Sequence, residues 1–161
     1  MNITVKPMET EEEILGKAYV HWRGWHDAYP GLISQEYLDR LTLEKCEETA
    51  HRWLTNILIA KDGDKVVGFA GYGTGEEDSV EIGEIFAMYV LSDYYGTGVG
   101  QKLMEAALEK LADFPKVCLW VLKDNKRAIR FYEKCGFAPN GEEMTLPTVQ
   151  ATEIRMVRER D

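Results

Sequence analysis

SDYYGTGVGQKLMEAALEKL, residues 92–111, sets Gly96, Gly98 and Gly100 at alternate positions and then enters a helical pattern. Glycines so spaced let a backbone curl round an anion. The free N–H groups and the dipole of a helix start then point at it. The stretch therefore reads as a phosphate cradle opening a helix over about 99–112, with Met104, Ala107, Leu108 and Leu111 on one face. A Walker A loop would need G-x-x-x-x-G-K-[ST]; here Gly100 is followed by Gln101, Lys102 and Leu103, with no hydroxyl for magnesium. A dinucleotide fingerprint would need G-x-G-x-x-G and an acid about twenty positions on. Gln101 stands in its third glycine slot, and no acid closes a second strand near Lys116.

Outward from the loop, the pattern alternates strands and helices. Upstream, NITVK reads as a strand, and residues 11–29 as a helix stopped by Pro30-Gly31. SQEYLDRL, capped by Ser34, and LEKCEETAHRWLTN read as two more helices. ILIAKDGDKVVGFAGYGT is a hairpin about its DGD turn, and VEIGEIFAMYVL is the next strand. Downstream, KVCLWVL is apolar throughout, as a strand covered on both faces should be. NKRAIRFYEKCGF is a helix with Asn125 as N-cap and Gly136 as its stop, carrying Ala128, Phe131, Tyr132 and Cys135 on one face. Strands over about 137–145 and 150–158 close the chain. The expectation is one α/β domain over residues 1–161, a mixed sheet of about seven strands with helices on both faces.

Composition narrows the function. The 161 residues carry a formal net charge of −9, which disfavours nucleic acid, since that binding needs clustered Lys and Arg. No long uncharged apolar run predicts a membrane span, and the acidic N-terminal segment has no signal-peptide core. Cys46, Cys118 and Cys135 are odd in number, irregularly spaced and two of them sit in apolar patterns. They read as reduced packing cysteines of a cytoplasmic protein, with no metal site.

Two blocks together carry a family resemblance. YVLSDYYGTGVGQKLM resembles the acyl-CoA-binding motif [QR]-x-x-G-x-[GA] of the GCN5-related N-acetyltransferases (GNAT), and LWVLKDNKRAIRFYEKCGF resembles that family's following strand–helix block, with N-x-x-A at Asn125 to Ala128. The likeness is good over about 66–137 and holds in outline elsewhere. One position departs from it: Tyr95 stands where the motif usually has Gln or Arg.

The resemblance implies a GNAT-type fold and acetyl transfer from acetyl-CoA to a primary amine by direct attack in a ternary complex, with no metal. It implies that the backbone of Met88, Tyr89 and Val90 pairs with the pantetheine arm. Tyr95, Gly96, Thr97, Gly98, Val99, Gly100 and Gln101 would hold the pyrophosphate, and Asn125 would cap its helix, touch the arm, or both. Tyr132 matches the family's general acid, a phenol that protonates the departing thiolate; by pattern alone it is equally a core aromatic. The glutamate of ribosomal-protein acetyltransferases is replaced by Trp120, whereas that of the histone branch matches Glu84, either a general base or a solvated strand end. Glu81 is the reserve base, acting through water. Simple alternation would put Glu84, Phe86 and Met88 on one face and Ile85, Ala87 and Tyr89 on the other.

The acceptor would meet the segment 22–33, where Trp25, His26 and Tyr29 gather at the helix end. Trp22, Trp25 and Tyr29 also fit a plain core stripe, and His26 a hydrogen-bonding helix end. Glu76, Glu77, Asp78 and Glu81 would either attract a cationic amine or form a solvated loop. The acceptor amine is not named by the sequence, and a homodimer is the one self-association common in the family. The competing function is an acetyl-CoA-binding sensor or partner module with little catalysis, in which Tyr132 and Glu84 are structural.

Overall fold

Thr10 and Glu13 show how the chain's punctuation becomes structure. In the computed structural model, which describes residues 1–160, the Thr10 hydroxyl accepts from Glu13 N (3.1 Å) and the Glu13 carboxylate accepts from Thr10 N (3.0 Å), a reciprocal capping box. It starts α1, Glu11–Ala28, after strand β1, Ile3–Pro7. Ser34 and Thr42 cap the next two helices through their side-chain oxygens alone, α2 at Gln35–Arg40 and α3 at Leu43–Arg52.

Then follow β2, Ile57–Asp62, β3, Lys65–Glu77, and β4, Val80–Val90. The hairpins use two-residue turns. Gly63 at φ 59° serves the first, while Asp78 and Ser79, at φ 52° and 65°, serve the second. That second turn carries the strand pair further than its sequence suggests. Glu76 and Glu77 lie within β3 rather than in a loop, and Glu76 pairs with Glu81. Glu77 is ion-paired to Lys116 (2.8 Å) and Arg155 (3.7 Å).

A 3-10 turn at Ser92–Tyr94 leads to the glycine loop and α4, Val99–Lys110. The rest is β5, Lys116–Leu122, α5, Lys126–Lys134, β6, Ala138–Leu146, and β7, Ala151–Glu159. The strands form one sheet in the order β1-β2-β3-β4-β5-β7-β6, antiparallel except for the β4–β5 pair. This is the expected mixed α/β architecture of seven strands.

Adjacent residues of β3 identify the two layers. A Cβ on Gly68 would meet the Leu103 side chain of α4, while the ring of Phe69 lies under Lys17 of α1. Successive strand residues face opposite ways, so α1 and α4 cover opposite faces. The core runs through Ile59, Val67 and Phe69 to Leu103, Met104, Leu119 and Met156, all fully buried. No helix among the described residues is long and apolar enough to cross a membrane.

Glu13 ties the α1 start to the sheet. It is 4% exposed and binds Lys6 Nζ (2.8 Å), Lys61 Nζ (3.1 Å) and the N–H groups of Glu9 and Thr10. Burial alone would raise its pKa, but hydrogen bonds from Lys6, Thr10, Glu9 and Lys61 outweigh that and bring it to about 2. A carboxyl lowered from 4.5 adds stability that is complete above pH 4.5 and lost as pH falls towards 2. Glu13→Gln should therefore cost about 2–3 kcal/mol at pH 7 in urea unfolding, with the difference from wild type shrinking between pH 4.5 and 2.

Candidate active site

The parallel ladder between β4 and β5 is short. Gly83, Glu84 and Ile85 pair with Val117, Cys118 and Leu119, and there the pairing ends. Beyond it, Phe86–Val90 and Trp120–Leu122 diverge, leaving backbone N–H and C=O groups that need a partner. A cavity of about 510 Å³ opens in this gap, and Met88, Tyr89 and Val90 line it, together with Trp120 and Val121.

The glycine loop forms one end of the cavity. Gly96 and Gly98 have φ of 75° and 91°, a region that disfavours side chains, and a Cβ on either would meet nothing within 4 Å. The loop is thus an open backbone surface, and Gly98 is the N-cap of α4, whose first N–H groups have no helical acceptor. A Cβ on Gly100 would stand 3.2 Å from the Phe131 ring, so this glycine lets α4 approach α5. Of the residues expected at the cradle, Tyr95, Gly96, Gly98, Gly100 and Gln101 line the cavity. Val99 points into the core (1% exposed), and the Thr97 hydroxyl donates to Tyr94 O at 2.6 Å.

Tyr95 has a companion that its sequence position does not disclose. The Arg127 guanidinium lies 3.8 Å from the centre of the Tyr95 ring and donates to its hydroxyl at 3.1 Å. A guanidinium has five N–H donors, so most of this fork stays free beside the loop. Arg130 and Lys134 of α5 also line the cavity, which makes this end cationic.

α5 supplies two more expected residues. Asn125 caps it, its side-chain oxygen accepting from Ala128 N at 3.3 Å, and also lines the cavity. Tyr132 is only 8% exposed, packs against Phe131 and Phe137, and still reaches the cavity wall. Burial, reinforced by nearby Tyr89, pushes its pKa well above 10, so its phenol keeps its proton at any ordinary pH. It is both a core aromatic and a cavity residue whose phenol stays protonated.

The face of the sheet under α1 needs one correction. Gly71 pairs with Ala87 but Tyr72 with Ile85, so Phe86 is an extra residue, a β-bulge. Phe69, Gly71 and Gly73 share one face of β3 and oppose Tyr89, Ala87 and Glu84. Glu84 therefore lies on the same face as Ala87 and Tyr89, the reverse of simple alternation. Its carboxylate accepts from Cys118 Sγ at 3.6 Å and lies over Gly75; burial raises its pKa. It is not among the residues lining the cavity, and exposed Glu81 is further away.

At the end of α1 the Tyr29 and Tyr89 hydroxyls share a hydrogen bond of 3.2 Å, and Tyr29 lines the cavity. Trp25 stands behind them, its ring 4.9 Å from Tyr29 and 6.4 Å from Tyr89. His26 faces away, with Nε2 bonded to Leu41 O at 2.8 Å.

Glu153 of β7 lines the cavity without any motif to announce it. Leu122 pairs with Glu153 and Trp120 with Arg155, so these side chains share the face of Cys118 and Glu84. Burial raises the Glu153 pKa, and no hydrogen bond or neighbouring charge offsets it. Its only sequence signal is an acid within the alternating run ATEIRMV.

Comparison with known proteins agrees with this architecture. The model of the family described as "Acetyltransferase (GNAT) family" matches residues 17–137. An uncharacterized N-acetyltransferase, YuaI of Bacillus subtilis, is 30% identical over 137 residues, covering 81% of this chain and 78% of the relative. An uncharacterized N-acetyltransferase of Mycobacterium tuberculosis is 38% identical over 87 residues, covering 53% of this chain. The match spans only about half of that relative, 54%. The fold is shared with the PaiA N-acetyltransferase of Thermoplasma acidophilum, solved in complex with coenzyme A, at a TM-score of 0.74 and 19% identity over 99% of both chains.

His21 reports on the packing behind this wall. It lies between the rings of Trp25, Phe69 and Tyr89, and its buried Nδ1 has no hydrogen-bond partner. Burial, with nearby Lys17, lowers its pKa from 6.5 to about 4. By NMR its ring should stay neutral down to about pH 4, while His51, bonded to Glu11, titrates above 6.5. Because the unfolded chain protonates His21 first, its contribution to stability falls as pH drops from 6.5 towards 4.

Proposed function

The chain belongs to the acetyltransferase (GNAT) family, and on that footing we propose that it transfers an acetyl group from acetyl-CoA to a primary amine by direct attack within a ternary complex. The observation that carries this reading is the juxtaposition of three features round one gap. These are the unpaired strand edge of β4, the glycine-lined start of α4 and the protonated phenol of Tyr132.

The residues fit acetyl-CoA as a substrate. The pantetheine arm carries amides and can pair with Met88–Val90 as an added strand. The pyrophosphate meets the helix start and the cations of α5. Stacked on Tyr95, Arg127 brings a guanidinium to the place where the family motif has Gln or Arg, so the side chain missing from the loop is supplied by the next helix. The cradle is backbone and the charge comes from α5.

In the transfer, the lone pair of the neutral amine attacks the thioester carbon and a C–N bond forms. The C–S bond then breaks, and the CoA thiolate takes the proton of the Tyr132 phenol. The proton lost by the amine goes to a carboxylate, directly or through water. Glu84 is the base suggested by family position, acting through water because it lies off the cavity wall. Glu153 is the carboxylate on the wall itself.

The direct test is release of CoA thiol from acetyl-CoA with a panel of amines, alongside calorimetry of CoA binding. Acetyl-CoA binding with no turnover on any amine would instead favour a binding module. Tyr132→Phe removes one hydroxyl, so it should lower kcat by about 10²–10³-fold with the CoA Kd unchanged. Arg127→Ala should weaken CoA about tenfold, a charged hydrogen bond's contribution, and leave turnover of S-acetyl-pantetheine, which has no phosphate, as in wild type.

A further inference from the structure

The cavity has two chemically different ends. Its cations, Arg127, Arg130 and Lys134, all come from α5. The α1 side is walled by Ala28, Tyr29, Phe86, Trp120, Leu122 and Glu153. Phe86, the bulge residue, is 59% exposed. A bulge commonly re-aims a side chain beside a functional site, and here it lays the Phe86 ring across Gly73 of β3 with much of its surface open beside the cavity.

Among the described residues, Glu153 is the one carboxylate on this wall. Arg155, on the same face, binds Glu142 (3.3 Å) and Glu76 O (3.4 Å) through its terminal nitrogens, its Nε is buried without a partner, and its guanidinium lies 6.0 Å from the Trp120 ring. Lys123 is likewise paired, with Glu143 at 3.0 Å. Among the described residues no cation lines this wall to receive an acceptor carboxylate. A second ammonium would face indole, phenyl and leucine side chains, which return only part of its lost hydration. The acceptor shares this open cavity with the acetyl donor.

We propose that this chamber selects a small primary monoamine with an apolar, aryl-sized body, its ammonium received by Glu153 and its body by Trp120, Phe86 and Tyr29. The proposal rests on the acetyl-transfer function above. It makes Glu153 a substrate-binding residue and the rings its specificity wall.

Three amines separate the alternatives: 2-phenylethylamine, phenylalanine (the same body with a carboxylate) and 1,4-diaminobutane (a second ammonium and no ring). The kcat/KM for phenylethylamine should exceed that for each of the others by about 100-fold. Glu153→Gln should lower it about 30-fold, in kcat as well as KM because the carboxylate that receives the ammonium is also placed to take its proton, with the CoA Kd unchanged and part of the loss restored by Glu153→Asp. Trp120→Ala should narrow the gap between phenylethylamine and the diamine. A preference for the amino acid or the diamine, or wild-type kinetics in Glu153→Gln, would overturn the proposal. Calorimetric titration of phenylethylamine into the CoA-saturated protein tests the chamber without turnover. Binding that Glu153→Gln abolishes supports the chamber even if no acetyl transfer occurs, and absence of binding in the wild type refutes it. Silence in the thiol assay with every amine counts against acetyl transfer alone.

Discussion

The parallel ladder between β4 and β5 lasts three residues, Gly83–Ile85 against Val117–Leu119, and the site depends on its ending there. Unpaired strand edges leave N–H and C=O groups that need partners, so two diverging strands in the middle of a sheet create both a hole and a demand for something to fill it. The two helices that follow these strands sharpen that demand. α4 opens at the mouth of the gap with free N–H groups, and α5 returns beside it with its cations and Tyr132. The sheet is held elsewhere by long antiparallel pairings, β3 with β4 and β5 with β7, so it tolerates an opening at its centre.

Around this gap the chain separates charge from apolar surface. Its cationic side is drawn from one helix, in a protein whose formal net charge is −9. Local placement therefore outweighs global charge: Arg127, Arg130 and Lys134 make this end cationic whatever the rest of the surface carries. The opposite side is aromatic, with Glu153 set into it and Arg155 neutralised by Glu142. The Tyr29–Tyr89 hydrogen bond and the Tyr132 phenol lie where the two sides meet.

Several of these features were legible before the fold was known, and they share a property: each is local. The alternate glycines of 96–100, the Asn125 cap, the stop at Gly136 and the DGD turn all act within a few residues. The same holds for the order of strands and helices, since periodicity and capping are short-range effects. Tyr132 was visible through its spacing from Asn125, and its double character as core aromatic and cavity residue follows from its place at the inner end of α5.

What stayed hidden was relational. Glu84 falls on the opposite face from simple alternation because of the bulge at Phe86, which exists only as a mismatch between two strands. Arg127 and Tyr95 are 32 positions apart and meet only when α5 packs beside the loop. Glu153 has no motif, and comes to line the cavity because β7 pairs with β5 in the register that sets it opposite Leu122. The sequence by itself determined the elements, the phosphate-type loop and the family, because those follow from local sterics and hydrogen bonding. Only the tertiary structure decided which carboxylate, which guanidinium and which aromatic rings face the gap, because strand register and helix docking are set by packing of the whole core.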